Sequence, residues 1–579
     1  MPKTVADGLW EMLVSAGVRR CYGIVGDALN PVVDAMRRNG SVDFVHVRHE
    51  EYGVFAAVAE AKLTGNPVAV CGTAGPGVVH LINGLLDARK ERVPVIVLGG
   101  DTESDLLDSD TVEELNPYQF FAPAAVYIGR LVNPRQLRTL VTSAVTAAVT
   151  QGGPAVIALP GDVAAADAAE GRLEMEMRLP RPVRAAAGTE DLAAMAAMIN
   201  QADTVAIFGG NGCERAQAEV CALAAKLNAP VGYSLKGKQF LEHDNPNAVG
   251  MTGLLGYGGC HDAISRADVL LMLGTDFPFS TFLPHEKVRV IQVDHDPSRL
   301  GRRAPVELGV AGDVQATVAA LLPLVEPKPE DDFLSRCVEK TEQFHRKMRH
   351  YAEKGPQVKP IRPEYLAATL SDLADEDALF FADTGTPVIW AARHIRYGPR
   401  RRLFGSFSWA SMANASPNAF GAQLAFPGRQ TIALCGDGGF TMLALGDLLT
   451  QVQRRARVLN IVLNNGGLEF VKIEQEEAGF VPFGTGFSNP DFAAVAEAMG
   501  AKGVRIEDPA DVPSGLRTAL AHTGGPVVVD VLVDPYALAV PAHVPAATAE
   551  GFTLSAARQV FTGRLDDVIE TARHNARLI

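Results

Sequence analysis

Short apolar runs that stop abruptly at glycine or aspartate recur along this chain: RCYGIVG, PVAVCGT, VPVIVLGG, PAVIALPGD, TVAIFGG, VLLMLGT, VRVIQVD, ALFFADTG, TIALCGD, LNIVLNN and PVVVDVLVD. Segments of helical length lie between them. Near-continuous apolar strands of this kind belong to parallel sheets covered on both faces, and the alternation with helices predicts doubly wound α/β domains. At 579 residues the chain is too long for a single core. RLPRPVRAAAGTED (178–191) and VEPKPEDD (325–332) are Pro-rich or charged, without apolar periodicity, and read as linkers. The expected organisation is three doubly wound parallel-sheet α/β domains over 1–182, 183–335 and 336–535, followed by a tail over 536–579.

Composition removes several function classes. A net charge of −14 argues against nucleic acid as the main partner. The start, MPKTVADGLWEML, lacks the basic region and apolar core of a signal peptide, and no apolar run approaches the ~20 residues of a membrane span. The seven cysteines contain no C-x-x-C pair, so neither a zinc site nor a disulfide framework is indicated, and a reducing cytoplasm is expected.

The chemistry concentrates at strand ends. LCGDGGFTML presents Asp437 between glycines, and the next apolar run, VLNIVLNNGGLEF, ends in Asn464 and Asn465. Asp-Gly also marks ordinary turns. As one βαβ unit, however, the two runs would release oxygen ligands at the carboxyl end of a sheet, where Asp437 and Asn465 could share Mg²⁺ and a phosphate. In the first domain, FVHVRHEEYGVFAAVAEA runs a strand into Glu50 and an Ala-rich helix, and GTAGPGVVHLINGL places a Gly-Pro-Gly loop before the next helix.

Together, GDG with its downstream NN, VRHEE, GPG with HLINGL, and FSWASMANASPNAFGAQ resemble the thiamin-diphosphate-dependent pyruvate oxidase family. GDALN, GMTGLLG, GTDFPF, GTPVIWAAR and GRLDDVIE have near-copies in its quinone-linked pyruvate dehydrogenases. The resemblance implies that Glu50 exchanges a proton with the cofactor's aminopyrimidine and that Met412 bends the cofactor into a V. Ala410 and Ser411 would meet the pyrimidine, and Thr386, Gly438, Gly439 and Leu468 the diphosphate end. Asp437, Asn465 and Gly467 would ligate Mg²⁺. Phe470 and Glu474 match residues on the substrate side. Thr252, Gly253, Leu254, Leu255, Thr275, Asp276, Phe277, Pro278, Phe279 and Asp294 match positions that touch FAD. The family's two thiamin-binding domains meet across subunits, which implies a homo-oligomer, a dimer of dimers.

The activity so implied is oxidative decarboxylation of pyruvate to acetate and CO₂, with electrons passing through FAD to a membrane quinone. A non-redox decarboxylase or carboligase on another 2-oxo acid, like the acetolactate synthases, is the alternative, and a catalytically silent flavoprotein scaffold is a third. The tail GRLDDVIETARHNARLI places Leu565, Val568, Ile569, Ala572, Ala576 and Ile579 at helical spacing with Arg573, His574 and Arg577 beside them. It reads either as a docked terminal helix or as a reversible membrane-surface helix, which the resemblance favours and which would put the protein on the inner face of the cell membrane. The chain departs from its relatives at Ala28, at TAGPGV, at Glu469 and over DTESDLLDSDTVEELNP (101–117). There Asp101 and Glu113, facing a pocket for an anionic 2-oxo acid, would repel it.

Overall fold

The computed structural model describes residues 3–168, 179, 184–284, 287–541, 544 and 546–576. The expected 182/183 boundary and the tail residues Arg577 and Ile579 lie outside them. The described residues form three parallel-sheet α/β domains and two C-terminal helices. The first sheet has six strands, at Arg20–Gly23, Asp43–His46, Val68–Gly72, Val95–Asp101, Tyr127–Arg130 and Pro154–Pro160. The third also has six, at Leu379–Ala382, Arg402–Phe404, Thr431–Gly436, Val458–Asn464, Lys502–Ile506 and Val527–Leu532. The central sheet has seven, and its one antiparallel pairing joins Tyr257–Gly258 to Ala248–Met251. The expected third-domain start at 336 falls inside a helix, Asp332–Lys354, capped by the Asp331 side chain accepting from Phe333 N.

One apolar core runs through the first and third domains, from Tyr22 and Val156 to Phe381 and Val528. Its centre is the crossing of two helices, Glu50–Thr64 and Ala415–Ala425. The Glu50 helix is buried over most of its length, as the Ala-rich sequence suits a helix covered by both a sheet and a neighbour, and its buried Glu60 pairs with Arg20. Gly421 makes the crossing close, since a Cβ there would run into the Ala56 carbonyl. Its start is held from across the core: the buried Asp447 carboxylate accepts from Arg48 N at 2.7 Å and from His49 N at 3.1 Å.

The tail folds back on the third domain. Helix Ala546–Phe561 packs on helix Glu469–Glu477, with Ser555 Oγ donating to Phe480 O (2.6 Å) and Arg558 to Gly479 O (2.7 Å). Helix Leu565–His574 docks by its polar edge, His574 Nδ1 lying 2.7 Å from the buried Asp534 carboxylate and Asn575 Oδ1 accepting from Leu538 N. Leu565 and Ile569 stay about half exposed. No helix among the described residues is long and apolar enough to cross a membrane.

Candidate active site

Asp437 follows directly on strand Thr431–Gly436 and is buried. Its Oδ1 accepts from Gly438 N (2.8 Å), and its Oδ2 from Asn465 N (3.1 Å), Gly466 N (2.8 Å) and Asn489 Nδ2 (2.8 Å). Burial raises this carboxyl above its ordinary value, against the pull of these donors. The Asn465 side-chain oxygen accepts from Gly467 N at 3.1 Å, folding the NNGG turn beside it. A side chain at Gly438 would meet Leu468 at 2.9 Å, Phe487 at 3.3 Å and the Met412 methyl at 3.5 Å, so only glycine keeps this floor bare. Thr386 opens helix Thr386–His394 behind Gly385, whose φ of 128° favours glycine. Beneath the loop, the buried Asp383 accepts from Ala415 N (2.8 Å) and Gly436 N (3.2 Å), and burial pushes its carboxyl up to about 7.

No group of three or more His, Cys, Asp or Glu that could hold a metal occurs among the described residues. The Asp437 set is of another kind: one carboxylate, one amide oxygen and one backbone carbonyl. Mg²⁺ takes that kind of oxygen set when a phosphate completes its shell. The donors present fit a magnesium diphosphate.

The first-domain cluster is separate. Glu50 is buried at the head of its helix with Oε2 2.9 Å from His80 Nδ1, and the His80 ring stacks on His49 at 4.7 Å between centroids. Asn83 joins this cluster to the third domain. It donates to Glu51 Oε1 (2.7 Å) and Ser411 Oγ (2.9 Å), and it accepts from Trp409 Nε1 (2.7 Å). Ala410 is exposed with a φ of 62°. Among the described residues no hydrogen bond or ion pair links Glu50 to Asp437, Asn465 or Met412. Phe470 packs against the third-domain core and Glu474 is exposed, whereas Glu469 is buried beside Lys472 and pushed up to about 7 by burial.

In the central domain the singled-out residues stand at carboxyl ends of parallel strands: Thr252 after Ala248–Met251, Thr275 and Asp276 after Val269–Leu273, and Asp294 at the end of its own strand. The Thr252 hydroxyl is sealed from solvent with no hydrogen-bond partner. Phe277 and Phe279 pack edge to face and lie against Gly253, while Pro278 is exposed and Leu254 and Leu255 are half-buried. Asp276 pairs with Arg299 (2.5 Å) and Arg303 (2.9 Å), with Arg302 at 3.6 Å. An orphaned buried hydroxyl, a buried carboxylate at a strand end and an arginine cluster fit a dinucleotide with a pyrophosphate.

The acidic stretch divides into one buried, paired acid and several exposed ones. Asp101 is buried and paired with Arg130 Nε at 2.7 Å, and Glu103, Asp105, Asp108, Asp110 and Glu113 face solvent. Asp101 and Glu113 do line a small pocket with Val78, Phe121 and Val156, and the backbone of Glu113 lies against Gly75. Arg130 offsets the charge of Asp101 in this pocket.

Comparison with known proteins bears on these clusters. Residues 3–120 match the N-terminal TPP binding domain of thiamine pyrophosphate enzymes, 192–321 their central domain and 383–531 their C-terminal TPP binding domain. The chain belongs to the thiamine pyrophosphate enzyme family. Within that family it is 33% identical to YdaP of Bacillus subtilis, named as a thiamine pyrophosphate-containing protein, over 92% of each chain. It is 30% identical to the pyruvate oxidase of Lactiplantibacillus plantarum, over 90% of this chain and 87% of that one. Identity to the acetolactate synthase large subunit of Parasynechococcus marenigrum is 29%, over 92% and 88%.

This thiamine pyrophosphate enzyme carries Glu50 in one TPP-binding domain and the Asp437 set in the other. Sequence reasoning singled out both but missed the residues that brace them: His80 on Glu50, Asn489 on Asp437, Asp383 under the glycine loop and Arg130 on Asp101. HLINGL was visible as a motif, but nothing in its spacing says which acid His80 would reach.

Proposed function

We propose that this enzyme decarboxylates a 2-oxo acid oxidatively, pyruvate to acetate and CO₂, using thiamin diphosphate, Mg²⁺ and FAD and passing electrons to a membrane quinone. The observation that carries the reading is the Asp437 carboxylate, braced by four N–H donors at a strand end beside the Asn465 and Gly467 oxygens. When bound, thiamin diphosphate supplies the electron sink for decarboxylation and FAD takes up two electrons. Asp437, Asn465 and Gly467 hold the metal, and the backbone at Thr386, Gly438, Gly439 and Leu468 receives the diphosphate. Met412, against Gly438, shapes the floor. Glu50, buried in hydrogen-bond contact with His80, exchanges a proton with the aminopyrimidine. Phe470 and Glu474 flank the substrate side. Thr252–Leu255, Thr275–Phe279 and Asp294 receive the flavin.

The proposed assembly is a homo-oligomer, a dimer of dimers, whose sites combine two subunits. The tail docks by polar contacts and leaves Leu565 and Ile569 outward, an arrangement suited to reversible contact with the inner face of the cell membrane. The similar identities to a pyruvate oxidase and to an acetolactate synthase keep non-redox carboligation as the second reading.

The experiment is an anaerobic screen of 2-oxo acids with the reconstituted enzyme, read at the flavin absorbance. Bleaching by pyruvate supports oxidation to acetate. Carboligation product without bleaching replaces it by the second reading.

A further inference from the structure

Helix Thr386–His394 reaches from one candidate cofactor site to the other. At its N-terminal end, Pro387 Cγ lies 3.7 Å from where a side chain on Gly436 would begin, immediately before Asp437. At its C-terminal end, Arg393 Nη2 donates to the carbonyls of Leu255 (3.5 Å) and Gly256 (3.2 Å). Nine residues at ~1.5 Å each make a strut of roughly 13 Å. The packing is continuous along it: Ala392 belongs to the central-domain core, and Leu255 packs in turn against the third-domain core.

The turn that Arg393 grips is tightly specified. Gly253 has a φ of 95°, its carbonyl accepts from Gly256 N at 2.8 Å, and Phe277 would stand 2.8 Å from a Cβ on it. Arg393 therefore holds, through two carbonyls, a turn that touches both of the central-domain segments assigned to the flavin. Its guanidinium is itself fixed, 5.5 Å from the Phe344 ring centroid, and its Nε is sealed from solvent without a partner. A helix packed against strand Thr431–Gly436 and held at its far end by Arg393 transmits a displacement rather than absorbing it.

We infer that Arg393 is a positioning residue that couples the two cofactor sites, so that filling the diphosphate cradle sets the Thr252–Gly256 turn for FAD. The inference rests on the flavin reading above. Coupling of this kind is reciprocal: what thiamin diphosphate does to FAD affinity, FAD does to thiamin diphosphate affinity, by the same factor.

The test uses the full-length protein stripped of cofactors. FAD affinity is measured by flavin fluorescence quenching, with and without thiamin diphosphate and Mg²⁺, in wild type, Arg393→Met and Arg393→Lys. Wild type should bind FAD at least about fivefold more tightly with the second cofactor present. Arg393→Met should bring that ratio to one while still binding each cofactor alone. Arg393→Lys, which can reach one carbonyl, should recover part of it, and the visible circular dichroism of the bound flavin should change in the same order. The ratio is read within each variant, so a general loss of stability does not imitate the effect. An equal ratio in wild type and Arg393→Met, or no coupling in wild type, overturns the inference and leaves the flavin reading intact. A wild type that binds no FAD overturns both.

Discussion

Counted from the start of each domain, the strands of the first and third sheets lie in the same order, 2-1-3-4-6-5, and the helices after their second strands pack against each other across the shared core. Their strand exits are used differently. After the third strand, the first domain has Thr73–Gly77 and the third has Asp437–Gly439. A Cβ on Gly75 would meet the backbone of Glu113 and one on Gly77 the backbone of Gly72, so these glycines close the loop onto its own domain. Gly438 faces the side chains of Leu468, Phe487 and Met412 instead, and its amide donates to Asp437. After the fourth strand, the first domain ends in Asp101, neutralised by Arg130, whereas the third ends in Asn464 and the NNGG turn, whose Asn465 and Gly466 amides turn onto Asp437. Topology provides a crevice twice. The residues at these exits make the third-domain crevice the candidate anion and metal cradle, while the first-domain loop closes on its own domain.

The largest effect should come from breaking the cradle. Asp437→Ala removes both a candidate metal ligand and the acceptor for four N–H groups. Thiamin diphosphate affinity in Mg²⁺, measured by titration of apoenzyme, should fall by more than about a hundredfold, since even outer-sphere partners of a metal are worth ~10–100-fold. FAD binding should persist, because the central domain has its own strand ends. Unchanged affinity would make the two crevices equivalent after all.

Next in size is Glu50→Gln, which keeps a hydrogen-bonding group opposite His80 but carries no acid proton. Turnover should drop by roughly 10²–10⁴-fold with the thermal midpoint and both cofactor affinities near wild type. Wild-type turnover would remove the acid role from the first-domain crevice.

The parts of this comparison legible in the sequence were those with a local signature. Apolar runs ending in Gly or Asp revealed the parallel sheets, and GDG followed by NN marked the two strand ends that meet at Asp437 and Asn465. Asp447 and Arg48 are 399 positions apart and Asn83 and Ser411 are 328, so no window contains them. Charge misled where pairing is non-local: Asp101 read as free until Arg130, 29 residues on, neutralised it.

That pair gives the third prediction. Asp101→Asn leaves Arg130 buried without its carboxylate, which should cost about 3 kcal/mol of stability. The uncompensated guanidinium should also lower the KM for pyruvate several-fold, by attraction to the substrate carboxylate. Glu113→Gln, at an exposed position, should change KM by less than about threefold in ordinary salt. A large effect at Glu113 with none at Asp101 would mean that the loop, not the strand end, faces the substrate.

The smallest effect is at the joint between the two crevices. Asp447 accepts from Arg48 N, His49 N and Thr450 Oγ1 and is buried, and burial pushes its carboxyl from 3.8 up to about 6. A raised folded value means that the folded protein holds this proton more tightly than the unfolded chain. The stability so contributed is whole below about pH 3.8, is lost as pH rises toward 6, and changes no further above it. The rise from 3.8 to about 6 corresponds to at most ~3 kcal/mol. Asparagine does not titrate, so Asp447→Asn should look better relative to wild type at pH 7.5 than at pH 4.5, by ~1–3 kcal/mol in urea unfolding. Its single carbonyl oxygen can still accept from the backbone ahead of Glu50, so turnover should stay within a few-fold of wild type. A pH-independent difference would show that Asp447 is not held protonated by burial. A large loss of turnover with little change in stability would show instead that the third domain sets the position of Glu50 through this one carboxylate, which would make the two crevices a single device.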